Sequence, residues 1–369
     1  MNASNTAADV TDVGDYLKLG ACTAVMAQPI LADALTTVPS IATQIGIGIF
    51  YNLVKYTAPA FILGILYTTT RTTLNQATLT YGEYLRRQWH ALFIPTLWWT
   101  TIYLVLMPQL QLGGRYHHWQ SFLWHFVNGN AAPHLWYNTM MLQFILLMPL
   151  FWAIGRWCQQ QPRHGWLVLG LTTVITVLWL WFYDCQIFHG PHMQDWYLVD
   201  RLFISFLIFG VLGVLAWVFR ASFQRVLSRW WPGLMGAFLL CLTWTNWEFF
   251  TYGFPIKLSN APYYKPSMVL YALIVIGLLA VLCEVQVRRQ RPVTRVVHQL
   301  AGMAYKAYLA NVFWSELLWL SFGRALTIKL SGLGIGVCYV LTWLLSFASA
   351  FGIHAAWEWL KRGLNDRSV

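Results

Sequence analysis

Residues 266–286 read PSMVLYALIVIGLLAVLCEVQ, twenty-one residues with one charged side chain, Glu284. At 1.5 Å per residue such a run matches a hydrocarbon core of about 30 Å. The next residues, VRRQR at 287–291, are strongly basic. An apolar span followed by arginines has the form of a transmembrane helix ending on the cytoplasmic side.

Nine further stretches have similar length and apolarity, near 16–35, 42–66, 90–108, 135–157, 165–183, 201–219, 231–247, 301–322 and 334–358. The first is the least hydrophobic, because Thr23, Gln28 and Asp33 interrupt it. About ten transmembrane helices are therefore expected, in an all-α polytopic protein. Loop charge orients them. With the N-terminus inside, the cytoplasmic segments hold Arg71, Arg86, Arg87, Arg156, Arg163, Arg220, Arg225, Arg229, Arg288, Arg289, Arg291, Arg295, Lys361, Arg362 and Arg367. The opposite face holds Arg115, Arg201, Lys257, Lys265, Arg324 and Lys329. Basic residues gather on cytoplasmic loops, so the expected topology is N-in and C-in.

Composition agrees. The chain has 369 residues, 58% hydrophobic and 10% charged, against roughly 25% charged in soluble domains. Tryptophan, with 22 copies, favours membrane interfaces. The positive-inside bias accounts for the net charge of +11, so no nucleic-acid partner is expected. The six cysteines show no metal-ligand or redox spacing. Residues 1–14 lack the basic start and apolar stretch of a signal peptide. One transmembrane domain over 1–369 is expected, with cytoplasmic tails at 1–14 and 359–369. The uncharged middle of the 109–134 connection, Trp119 to Val127, is apolar enough for an interfacial or re-entrant helix.

Histidine can exchange protons near neutral pH. His117, His118, His125, His134, His189 and His192 all fall on the outer side, but without metal-ligand spacing, and no metal is expected. His134 opens the fourth span in PHLWYNTMMLQF, where an imidazole could deprotonate or orient a hydroxyl; a helix cap is the plain alternative. In YGEYLRRQWHALFIP, Arg86 and Arg87 with His90 form a basic cluster suited to phosphate oxygens, although an ordinary positive-inside anchor would look the same. Ionisable residues inside spans are costly and mark sites. Lys18 opens the first span, while Lys55 and Glu316 are candidates for a buried pair.

Taken together, DYLKLGACTAVMA, YTAPAFILG, LRRQWHALFIP, HLWYNTMMLQFILLMPLF, FLIFGVLG and AYKAYLANVFW resemble, in order and spacing, the acyltransferase 3 family of integral membrane acyltransferases. The resemblance runs over almost the whole chain. It implies ten helices, a cytosolic acyl-CoA donor (acetyl-CoA the expected one), and a cell-surface or lipid-linked carbohydrate acceptor on the outer side. It also implies a multi-pass place in a bacterial plasma membrane, among membrane lipid and near polysaccharide-synthesis proteins.

Carried onto this chain, the resemblance matches Arg86 and Arg87 to the donor-binding motif and sets Lys18 at the place of a usual arginine; His90, from the same basic cluster, is expected at the donor with them. His134 with Gln28 is assigned to catalysis, and Trp136, Tyr137, Asn311 and Glu316 to the acceptor. Trp119 and Trp124 could also stack on sugar faces. Two positions depart from the family pattern. The usual first-helix histidine is replaced in the stretch Ala27, Gln28, Pro29, and the ninth span has Asn311 where a histidine is common. A neutral amide hydrogen-bonds but is no base. Two functions follow: an O-acyltransferase that modifies surface polysaccharide (O-acetylation in the expected case), or an inactive relative that binds or translocates an exopolysaccharide.

Overall fold

The computed structural model describes residues 11–75, 80–193 and 195–365, which form helices and turns with no strand among them. The chain runs through α1 (Val13–Val25), α2 (Ala27–Leu35), α3 (Ile41–Leu53), α4 (Thr57–Asn75), α5 (Tyr81–Gln88) and α6 (Ile94–Leu106). There follow α7 (Trp119–Asn128), α8 (Trp136–Leu146), α9 (Met148–Gln160), α10 (Pro162–Tyr183) and α11 (Leu207–Val218). The last five are α12 (Arg220–Phe250), α13 (Pro266–Arg288), α14 (Val293–Leu318), α15 (Arg324–Lys329) and α16 (Ser331–Asn365). Of the expected tails, residues 1–10 and 366–369 lie outside the described residues. The helix expected within 109–134 is α7.

Each expected span falls on a helix or helix pair, but the number supported by length and apolarity is lower than ten. Six described helices qualify, and the α8–α9 pair, bent by 55°, makes a seventh if it crosses as one. The shortfall has local causes. The first stretch breaks at Met26 into helices of 13 and 9 residues. The apolar run Phe203–Val218 is short, since it starts as a 3-10 turn. Arg295, Lys306 and Glu316 dilute α14.

Prolines set the breaks. Pro29 and Pro59 are each the third residue of their helix, α2 and α4. A proline ring clashes with the carbonyl four residues back and supplies no N–H. Those carbonyls belong to Val25, where α1 ends, and Lys55, in the turn between α3 and α4. Pro95 acts similarly at the start of α6, where residues Trp89–Phe93 widen into a π-helical turn.

Helix α4 is the centre of the bundle, with Ala60, Ile62 and Leu66 fully buried; α1, α9 and α11 pack on it, and α14 packs on α1 and α16. The approach is close at glycines. A Cβ on Gly213 of α11 would lie 2.6 Å from the Leu63 carbonyl oxygen, and one on Gly64 of α4 would lie 3.1 Å from the Leu17 Cβ of α1. Small residues at such crossings allow the backbone proximity typical of membrane helices. Outward faces are apolar: Leu167, Leu171, Val174, Leu178 and Trp181 repeat every three or four residues along α10 and are all exposed, Leu171 by 64%. A stripe of that size is explained by a lipid solvent.

One end of the bundle is ionic. Arg71 pairs with Asp12, and Asp15 holds Lys18 at 2.9 Å and His298 Nδ1 at 2.7 Å. Tyr16 donates to Gln286 beside them. The far end of α1, about 20 Å away at 1.5 Å per residue, opens on a cavity lined by polar and aromatic side chains.

Candidate functional site

A cavity of about 420 Å³ lies where the broken ends of α1–α2 and α3–α4 meet the start of α8, the segment 258–264 ahead of α13 and the middle of α14. Its wall includes Gln28, Lys55, Thr57, His134, Trp136, Tyr137, Asp200, Tyr263, Tyr308 and Asn311. A pocket of this volume, lined by aromatic rings interspersed with polar side chains, suits a small organic ligand.

The proline breaks build one side. Gln28, the second residue of α2, turns its amide across to the second break. Its Nε2 approaches the Val54 carbonyl at 3.4 Å, Thr57 Oγ1 at 3.2 Å and Tyr263 Oη at 3.5 Å. Thr57 and Tyr263 share a further bond of 2.8 Å. Backbone polar groups freed inside a membrane protein need such partners, so Gln28 fastens the two breaks together as well as lining the cavity.

His134 is placed by the loop ahead of α8. Gly129 ends α7 with φ +71°, and a Cβ there would meet the Leu135 carbonyl and Trp136 Cα at 2.8 Å. Only glycine takes that conformation in that space. The loop thus folds flat against α8 and delivers His134 inward, where it is 7% exposed. Its ring meets Tyr103 and Tyr308 edge-on at 5.2 and 5.1 Å, and Tyr308 donates to its backbone carbonyl. Neither ring nitrogen meets hydrogen-bond geometry with a described residue, although the Leu309 backbone carbonyl lies close to the ring. His134 lines the cavity with its ring nitrogens buried, and no bond from the ring caps α8.

The acceptor assignments divide. Trp136 faces Tyr263 at 5.9 Å, and Tyr137 is buried between Phe61 and Tyr308 with its hydroxyl unpartnered. Asn311, wholly buried on α14, donates to the Tyr308 carbonyl and leaves its Oδ1 unpartnered. Glu316 lies further along α14, off the cavity wall, and accepts from Gln109 at 3.2 Å. The expected Lys55–Glu316 pair is not formed: Lys55 donates to Tyr51 instead. Trp119 and Trp124 are exposed on α7, away from the wall.

The donor assignments divide too. Arg86 and Arg87 end α5, and His90 follows in the π-helical turn, all three exposed. Lys18 belongs to the ionic cluster with Asp15. The outer histidines do not gather. His125 bonds the Ser121 carbonyl, His189 pairs with Asp184, and His192 stacks on Trp196.

Sequence reading passed over Tyr308, Tyr263 and Asp200. Tyr308 is three residues before Asn311 and therefore on the same helix face, a signal that could have been used. Asp200 precedes α11, outside the spans. Burial pushes its carboxyl up to about 6 although the adjacent Arg201 pulls it down. A folded-state value above the ordinary 3.8 costs no stability below 3.8, and the cost grows to its full size above about 6. Asp200→Asn should therefore raise the thermal midpoint at pH 8 by about 2–4 °C, roughly 1 kcal/mol after allowing for partial exposure, and change little at pH 4. Tryptophan-fluorescence melts at the two pH values check this; an equal shift at both would refute the assignment.

Residues 15–353 match the acyltransferase 3 family, described as an acyltransferase domain. No curated protein and no solved structure matches the chain.

Proposed function

The chain belongs to the acyltransferase 3 family, and on that premise we propose that it is a membrane O-acyltransferase. It takes an acyl group, acetyl in the simplest case, from cytosolic acyl-CoA and places it on a hydroxyl of a cell-surface or lipid-linked carbohydrate. The proposed setting is a bacterial plasma membrane, with both chain ends cytoplasmic. The observation that carries this reading is the convergence of Gln28, His134, Trp136, Tyr137 and Asn311 on one cavity, with the His134 ring capping nothing in α8.

In the reaction, His134 accepts the proton of the acceptor hydroxyl as its oxygen attacks the thioester carbonyl carbon. The C–S bond then breaks, and the imidazolium returns the proton to the departing thiolate, leaving an ester and free coenzyme A. General-base help of this kind contributes about 10²–10⁴-fold. The Asn311 amide and the Tyr137 hydroxyl supply hydrogen-bonding capacity for the sugar, and Trp136 and Tyr263 offer ring faces.

Arg86, Arg87 and His90 hold the donor's phosphates. Exposed guanidinium groups at the end of α5 are free to take them, and charge-assisted bonds contribute about 1.5–3 kcal/mol each. Arg86→Ala with Arg87→Ala is therefore expected to raise KM for acetyl-CoA about 100-fold with kcat unchanged. Thiol release from the purified protein, with an oligosaccharide acceptor, reads both constants. An unaltered KM would remove these arginines from the donor site.

A second reading has one observation in its favour. Gln28 stands where relatives are expected to carry a histidine, and its amide is already engaged with Val54, Thr57 and Tyr263. A chain of this kind could bind or move an exopolysaccharide without acylating it. Saccharide binding without thiol release from any acyl-CoA would establish that alternative.

A further inference from the structure

Lys55 lies in the turn between α3 and α4 and is only 8% exposed. Its Nζ donates to Tyr51 Oη at 2.8 Å. It also stands 4.6 Å from the Tyr51 ring centroid and 4.4 Å from that of Tyr263. An ammonium has three N–H donors, and one hydrogen bond to a described residue uses one of them. None of the ion pairs among the described residues includes Lys55. Asp200, the carboxylate on the same wall, is next to Arg201.

A buried cation within a membrane bundle is costly unless compensated. Tyrosine faces return part of that cost through the ring quadrupole, but they carry no countercharge. The bundle gains no ion pair among the described residues by retaining Lys55, and the residue lines the cavity that holds His134 and Gln28.

We propose that Lys55 is an anion-recognition site, and that the cavity selects an acceptor sugar bearing a singly charged carboxylate, as in a uronic acid. The two spare N–H donors fit the two carboxylate oxygens, and Tyr263 and Trp136 flank the sugar ring. One ammonium balances one negative charge. A phosphate monoester, near two charges at neutral pH, would leave the second uncompensated in a wall that also holds Asp200. This inference rests on the cavity being the acceptor site of the proposed function.

The test uses the full chain in nanodiscs of uncharged lipid, with three disaccharides that differ only at the terminal sugar: glucosyl, glucuronyl and glucosyl 6-phosphate. Binding is measured by microscale thermophoresis. The wild type should bind the glucuronyl disaccharide at least about tenfold more tightly than the glucosyl one, a margin of about 1.4 kcal/mol. Lys55→Met should abolish that margin and leave glucosyl binding as it was, while Lys55→Arg should keep part of it. Equal wild-type affinity for the two sugars, no binding of any, or preference for the phosphate would overturn the proposal. So would a Lys55→Met loss that falls equally on both sugars, which marks a structural role. Thiol release from acetyl-CoA is measured in parallel. Lys55-dependent glucuronyl selectivity without thiol release rejects the transferase and retains this site; thiol release that is equal with the glucosyl and glucuronyl acceptors, in the wild type and in Lys55→Met alike, does the reverse.

Discussion

Replacing His134 by alanine is expected to lower acyl transfer about 10²–10⁴-fold, the range of a lost general base, while donor binding stays as in the wild type. The reason lies in where the ring points. A histidine kept only to cap α8 would hold a backbone group of α8 with a ring nitrogen, whereas the His134 ring caps nothing there and turns toward Tyr308 and Leu309 of α14. What fixes the residue is its main chain, through Tyr308, and the two tyrosine rings beside it. Alanine removes the ring but leaves the main-chain bond, so the α8 start should hold. His134→Asn is the sharper variant, since it keeps hydrogen-bonding capacity and cannot act as a base near neutral pH. If the asparagine variant turns over at the wild-type rate, His134 is a positioning residue and proton transfer belongs elsewhere in the cavity.

The second large effect is structural. Gly213→Val should destabilise the bundle by about 3 kcal/mol, the upper range for overpacking, and reduce the yield of monodisperse protein. A Cβ at this position falls 2.6 Å from a backbone oxygen, Leu63 O, and 3.2 Å from the Tyr67 backbone nitrogen. No rotamer relieves a clash with main chain, so α11 must back away from α4 and lose the packing that buries Leu63 and Leu66. Gly170→Val is the matched control, because on α10 a Cβ meets nothing within 4 Å. Similar melting temperatures for the two variants would show that the α4–α11 crossing is looser than the structure has it.

The same contrast runs through what could be read in the sequence. The positions of the apolar helices were legible, because hydropathy accumulates along the chain and needs no partner. Their number was less so. Met26 and Val54–Tyr56 interrupt runs that look continuous in composition, and only Pro29 and Pro59 hint at it. His134, Trp136, Tyr137, Gln28 and Asn311 were named from motifs, and all five stand on the cavity wall. Glu316, in the same helix as Asn311, does not, since five residues further along a helix is about 7.5 Å on and rotated to another face. Lys55 stood out as an ion within a span, but its neighbours were misassigned: charge complementarity suggested Glu316, and the actual neighbours are the rings of Tyr51 and Tyr263.

By itself, then, the sequence determined the solvent and the secondary structure of this acyltransferase-family chain: a bilayer, helices long and apolar enough to cross it, and loops richer in arginine on one side. Those are sums over neighbouring residues. The cavity was decided only by tertiary structure. Gln28, Lys55, His134, Tyr263 and Asn311 are far apart in the chain, and they meet because two proline breaks fall at the same level of the bundle while glycines let α1, α4 and α11 close to backbone contact. Convergence of that kind depends on where helices bend and how closely they cross, and neither is a property of any one stretch of chain.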